Sequence, residues 1–147
     1  MRPIQRLTIL YDSACGLCTN VRHWLMTQTQ AVSLEFVAAG SAEARARFSG
    51  IPAGELAVIA DSGEVWLGNH AWVVCLWALR DYRGLAVRLS SPLLLLMARE
   101  AFSLVSNNRA EVSQWLGLRS DAEIEQQLRR VHAPACAPAG VEEELKC

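Results

Sequence analysis

Residues 7–11 are apolar and β-branched, the run stops at Asp12, and from Cys18 onward apolar side chains recur at Val21, Trp24 and Leu25. A buried strand that hands over to a helix within a few residues limits the possible folds more than any other feature of this chain. The alternation continues. Residues 33–37 read as a second strand, and residues 41–48 as a short polar helix ended by Gly50 and Pro52. Residues 56–60 form a third strand, Asp61-Ser62-Gly63 a hairpin turn, and residues 64–67 a fourth strand. Asn69 is a suitable cap for a helix over residues 71–79.

The order is therefore β-α-β-α-β-β-α. Strand–helix–strand units cross over right-handed and give a parallel pair, and the hairpin adds an antiparallel edge. This predicts an α/β, thioredoxin-like fold: a mixed four-stranded sheet with additional C-terminal helices. It also sets the start of the first helix at the carboxyl end of the first strand, where open α/β sheets tend to carry their chemistry. Further along, Pro92 opens a helix over residues 93–106, whose apolar run at residues 93–97 reads as buried on the sheet. Ser120-Asp121-Ala122-Glu123 is a capping box, and Ile124, Leu128 and Val131 form one apolar stripe behind it. Residues 133–140 have linker composition and lead to a solvated tail ending in Cys147. The expected division is residues 1–119 as the thioredoxin-like domain, and residues 120–147 as a helix, a Pro/Ala-rich linker and a tail.

Hydrophobic residues make up 52% of the 147, which supplies a core for one domain. A net charge of −1 gives no basic surface for nucleic acid. No apolar stretch approaches the ~18 residues that span a bilayer, and residues 7–11 are too short for a secretory h-region. The expected setting is a reducing cytosol. There a close cysteine pair is more often catalytic or metal-binding than a structural disulfide. Of five cysteines, only Cys15 and Cys18 are close in sequence. Cys75 lies in an apolar helix and reads as an inert core thiol, and Cys136 and Cys147 as tail thiols. His70 reads as a surface residue at a helix start, and Trp66, Trp72 and Trp77 as core or interface.

Cys15-Gly16-Leu17-Cys18 at a helix start has the spacing of a redox-active dithiol. The helix N-terminus favours a thiolate by ~0.3–1 kcal/mol, which makes Cys15 the nucleophile. Helix position makes Cys15 the exposed attacker and Cys18, about one turn further in, the buried resolving thiol. The pair then needs no cofactor and no metal. It needs a protein or small-molecule disulfide substrate and a dithiol reductant to restore it. Gly16 would let a substrate backbone come close, and Leu17 offers an apolar contact. Asp12 has two readings: a proton acceptor for Cys18 during resolution, or an Asx-turn that shapes the loop. The competing reading of the pair is non-enzymatic, with Cys15 and Cys18 structural or bound to zinc. Zinc usually takes four ligands, yet no second C-x-x-C exists, and His23, His70 and His132 are scattered.

The stretch Tyr11-Asp12-x-x-Cys15-x-x-Cys18 resembles the signature of the DCC family of thiol–disulfide oxidoreductases, named for its Asp-Cys-Cys pattern. The resemblance extends over residues 7–118, including the hairpin at 56–67 and helices that end near Asn108-Arg109. It implies a thioredoxin-like fold, protein-disulfide reductase activity and functional roles for Asp12, Cys15 and Cys18. Two positions depart from pattern. Ser13 stands where the family has glycine, and Glu55 stands where thioredoxins place a proline before the third strand.

Overall fold

The computed structural model describes residues 3–130. Val131, His132, Cys136, Cys147 and the linker and tail of the sequence reading lie outside the described residues. The elements are β1 (Arg6–Tyr11), α1 (Gly16–Thr27), β2 (Ser33–Ala38), α2 (Ala42–Arg47), β3 (Ala57–Ala60), β4 (Val65–Leu67), α3 (Gly68–Trp77), α4 (Arg83–Leu89), α5 (Pro92–Asn107), α6 (Arg109–Trp115) and α7 (Asp121–Arg130).

The four strands form one sheet in the order β2-β1-β3-β4. β1 is parallel to β2, with Leu7 opposite Leu34 and Tyr11 opposite Ala38. It is antiparallel to β3, with Leu7 opposite Ala60 and Leu10 opposite Ala57. This is the mixed thioredoxin-like sheet expected from the strand order. A central strand covered on both faces needs apolar residues on both, which explains the nearly continuous run in β1. Leu7 and Ile9 face α1 and α3 in a core shared with Leu25, Val58, Ala71, Cys75 and Leu79. Leu10 faces the other way, toward Ala44 of α2, with Val37, Ala57 and Ile59. The buried Thr8 on β1 donates its hydroxyl to Glu35 Oε2 at 3.0 Å.

Two local expectations change. First, Asn69 does not cap α3. β4 runs straight into that helix, Leu67 holds the cap position without a side-chain bond, and Gly68 makes the turn at φ +55°. A positive φ of this kind strongly favours glycine. Second, the apolar run in α5 is not buried on the sheet. α1 and α3 already occupy that face, so α5 packs as an outer layer on α3, α4 and α6. Leu93, Leu96, Met97 and Leu104 are each more than half exposed (57–71%). On α7 the described part of the apolar stripe faces outward, with Ile124 39% and Leu128 67% exposed. The capping box before α7 forms as expected. Glu123 N–H donates to Ser120 Oγ at 3.1 Å, and Ser120 N–H to Glu123 Oε2 at 3.0 Å.

Ser13, which replaces the family glycine, carries no strain, since every positive-φ residue among those described is a glycine. No helix among the described residues is long and apolar enough to cross a membrane.

Candidate active site

The loop from β1 to α1 is built by Asp12. Its Oδ1 accepts the Ala14 N–H at 2.9 Å, which is the Asx-turn, and its carbonyl accepts the Cys15 N–H at 3.2 Å. That turn brings Cys15 to the cap position of α1 in an extended conformation (φ −97°, ψ 116°). The Cys15 sulfur then accepts the Cys18 N–H at 3.3 Å. A thiol sulfur thus takes the place of the Ser, Thr or Asp oxygen that normally satisfies a first-turn amide.

The two cysteines are unequal, in a different way from that expected. Cys15 is the more buried, with 7% exposure, and Cys18 is half-buried. The reason is the segment from α6 to α7, which crosses the first turn of α1. The Leu17 N–H donates to Ser113 Oγ at 2.9 Å, and the Ser113 hydroxyl donates to the Arg109 carbonyl at 2.6 Å. The Asp121 N–H donates to Thr19 Oγ1 at 3.2 Å, and the Ala122 N–H to the Ser13 carbonyl at 3.3 Å. Gly16 is buried beneath this crossing. A Cβ there would lie 2.7 Å from the Leu118 carbonyl oxygen. The close approach that the glycine permits is therefore made by the chain's own backbone, in place of the substrate backbone expected from sequence.

Burial, the hydrogen bond to Cys15 and the charge of Cys15 push the Cys18 thiol up to about 12. Arg109 opposes that rise and Asp12 adds to it. These two side chains are themselves paired, Arg109 Nη2 to Asp12 Oδ2 at 3.1 Å. Arg109 also reaches the Gly54 carbonyl at 3.5 Å, on the loop before β3. A second polar cluster lies nearby. Tyr11 donates to Asp121 Oδ2 at 2.9 Å, and Arg22 Nη1 donates to the Tyr11 oxygen at 2.6 Å and to Asp121 Oδ2 at 2.7 Å. It ties β1, α1 and α7 together beside the dithiol. Burial and the bond to Asp121 raise the Tyr11 phenol above its ordinary value.

Cys18 opens onto a cavity of about 640 Å³. Its apolar wall includes Val21, Phe36, Leu56 and Trp72, and its polar side includes Asp12, Arg109, Glu55 and Arg99. Gly54 and Glu55 border it on the loop where thioredoxins carry proline. Asp12 and Cys18 are thus at the cavity and Cys15 is beneath the α6–α7 crossing. Sequence reasoning missed Arg109, Ser113, Leu118 and Asp121 as neighbours of the pair. The family-like Asn108-Arg109 was the one local signal that could have drawn attention to Arg109. Cys75 is 1% exposed, and burial pushes its thiol up to about 12, in keeping with an inert core position. Among the described residues, no group of three or more His, Cys, Asp or Glu side chains is placed to hold a metal ion.

Comparison of the chain with curated proteins and with solved structures returns no match. A family model does match, over residues 9–115, and its description is DCC1-like thiol-disulfide oxidoreductase. That span holds the dithiol, Asp12, Arg109 and all of the sheet except the first half of β1. With most of its length matched and a Cys-x-x-Cys pair at the strand-to-helix turn of a thioredoxin-like sheet, the chain belongs to the DCC1-like thiol-disulfide oxidoreductase family.

Proposed function

We propose that the protein reduces disulfides by thiol–disulfide exchange, with Cys15 as nucleophile and Cys18 as resolving thiol. The observation that carries this reading is the sulfur geometry at the start of α1. Cys15 Sγ receives the Cys18 N–H at 3.3 Å, which places the two sulfur-bearing residues on the same first turn. The bond sets the Cys15 sulfur at the N-terminus of α1, one turn from Cys18. The raised Cys18 thiol keeps its proton until the resolving step. Cys15 sulfur attacks a substrate disulfide and releases one thiolate. Cys18 then attacks the Cys15 sulfur of the mixed disulfide, releases the second thiol and leaves Cys15–Cys18 oxidised. A dithiol reductant returns the two electrons.

Asp12 holds the loop through Ala14 and, paired with Arg109, is the proposed acceptor of the Cys18 proton at the resolving step. An Asp12→Asn substitution separates the two roles. Its amide oxygen can still accept from Ala14, but its charge is gone. Slower resolution with an unchanged fold supports proton transfer, and unchanged turnover across pH rules it out.

The decisive test is trapping. A Cys18→Ser variant exposed to disulfides should accumulate mixed disulfides at Cys15, located by peptide mass spectrometry. If no adduct forms at Cys15 under oxidising conditions, the reading fails.

A further inference from the structure

We propose that the disulfide reduced at this site is a small molecule with an α-amino-acid head group, its carboxylate held by Arg99 and its ammonium by Glu55. The proposal rests on the disulfide-reductase reading above and names its substrate class.

The cavity bordered by Cys18 encloses about 640 Å³. That is within the ~300–1,000 Å³ of typical small-molecule sites. The charged side chains that line it divide into two groups. Arg109 is committed to Asp12 at 3.1 Å, and Arg22 to Asp121 at 2.7 Å. Glu55 and Arg99 form no hydrogen bond or ion pair among the described residues. Both are exposed and face the same cavity with opposite charge. Both also line an adjoining cavity of about 490 Å³, together with Gly68 and Asn69. The two uncommitted charges therefore lie where the cavities meet, with the half-buried Asn69 beside them.

A ligand with a single charge would satisfy one of these side chains and be repelled by the other. A zwitterionic head pairs both. Its carboxylate can take the planar guanidinium fork, and its ammonium a carboxylate oxygen. The methylene arm leading to the disulfide can lie on Val21, Leu56 and Trp72, which line the same cavity as Cys18. In the reaction the substrate S–S bond breaks and two thiols form. The two electrons come from the dithiol, which closes to the Cys15–Cys18 disulfide.

The test uses the reduced full-length protein in single turnover with four small disulfides. They are L-cystine (zwitterionic), cystamine (cationic), 3,3′-dithiodipropionate (anionic) and hydroxyethyl disulfide (uncharged). Each rate is divided by the rate of the same disulfide with dithiothreitol, which removes intrinsic reactivity, and is then expressed relative to hydroxyethyl disulfide. The cystine ratio should be the highest of the series. It should fall about three- to fivefold in Arg99→Gln and in Glu55→Gln, the range of a single partly exposed ion pair. The dithiodipropionate ratio should fall only in Arg99→Gln, and the cystamine ratio only in Glu55→Gln. Ratios that do not change, or that change alike for all charges, overturn the head-group proposal while leaving the reductase reading standing. If hydroxyethyl disulfide also fails to oxidise the pair, the reductase reading itself is wrong and the proposal falls with it.

Discussion

Replacing Gly16 by alanine should loosen the cover over Cys15. The added Cβ would sit 2.7 Å from the Leu118 carbonyl oxygen and 3.1 Å from its carbon, both backbone atoms. Ordinary contact begins at 3.4 Å, so the first turn of α1 and residues 118–119 must separate by about 0.7 Å. Overpacking of this kind costs ~1–3 kcal/mol. Alanine returns at most ~0.5–1 kcal/mol of backbone entropy in a helix, less at its first residue. The net expectation is a loss of about 1–2 kcal/mol, which for a domain of this size lowers the melting temperature by ~3–10 °C. The displaced segment carries the Ser113 hydroxyl that receives the Leu17 N–H and the Asp121 amide bound to Thr19. Its movement should uncover Cys15, now 7% exposed. Thermal denaturation gives the first quantity. The second is the rate of iodoacetamide labelling of Cys15, measured in a Cys18→Ser background so that one sulfur of the pair reports. A Gly16→Ala protein that melts at or above the parent temperature, with Cys15 labelled at the same rate, would refute the idea that residues 118–119 cover Cys15.

Other perturbations test separate parts of the structure. Arg109→Gln removes the one cation that lowers the Cys18 thiol, so resolution of a mixed disulfide should slow several-fold at neutral pH and recover as pH rises; stopped-flow release of the second thiol measures it, and a pH-independent effect argues against electrostatics. Cys75 should resist alkylation in the native protein and label only on unfolding, because burial holds its thiol up at about 12, and site-resolved mass spectrometry after timed labelling decides this. Glu35 is held down at about 2, first by its bond to Arg47, so its contribution to stability is complete above the unfolded carboxylate value near ~4.3 and is lost as pH falls toward 2. With Glu35 and Arg47 about a third exposed, that contribution should stay below ~1 kcal/mol, and acid titrations of Glu35→Gln should differ from the parent only in that window.

How far the sequence could be read depended on sequence separation. The strand and helix order was legible because periodicity is a local property, and β1 announced its two covered faces by its unbroken apolar run. The capping box at Ser120 and Glu123 was equally local. Asp12, Cys15 and Cys18 fall within seven residues, and the Asx-turn needs only Asp12 and Ala14. Asn69 misled because its residue type suits a cap, whereas the actual boundary is set by Gly68 turning β4 directly into the helix. The partners that enclose the pair were not legible. Ser113 meets Leu17 across 96 positions, and Asp121 meets Tyr11 across 110. Helix position alone made Cys15 the exposed sulfur, since nothing local shows what will be laid over the helix end. The same limit applies to the run at 93–97. Its composition suits a core, and only the prior occupancy of the sheet face by α1 and α3 displaces it outward.

That enclosure bears on how the dithiol would work. Of the four influences that raise the Cys18 thiol, burial is the largest, the next two come from the partner sulfur Cys15, and the last is the charge of Asp12. On the proposed mechanism, the two from Cys15 disappear once it is bound in a mixed disulfide, because that sulfur then carries no charge. Arg109 remains, paired with Asp12 at 3.1 Å and still favouring a thiolate on Cys18. Cys18 is therefore held protonated while Cys15 waits for substrate, and becomes easier to ionise at the step where it must attack. The cavity opens on the Cys18 side, while the chain's own Leu118 backbone lies against Gly16. On the proposed reading, a disulfide would enter by the recess on the Cys18 side. On this geometry, selection among disulfides falls to the lining of the recess, which is why substitutions at Glu55 and Arg99 should alter substrate preference without touching either sulfur.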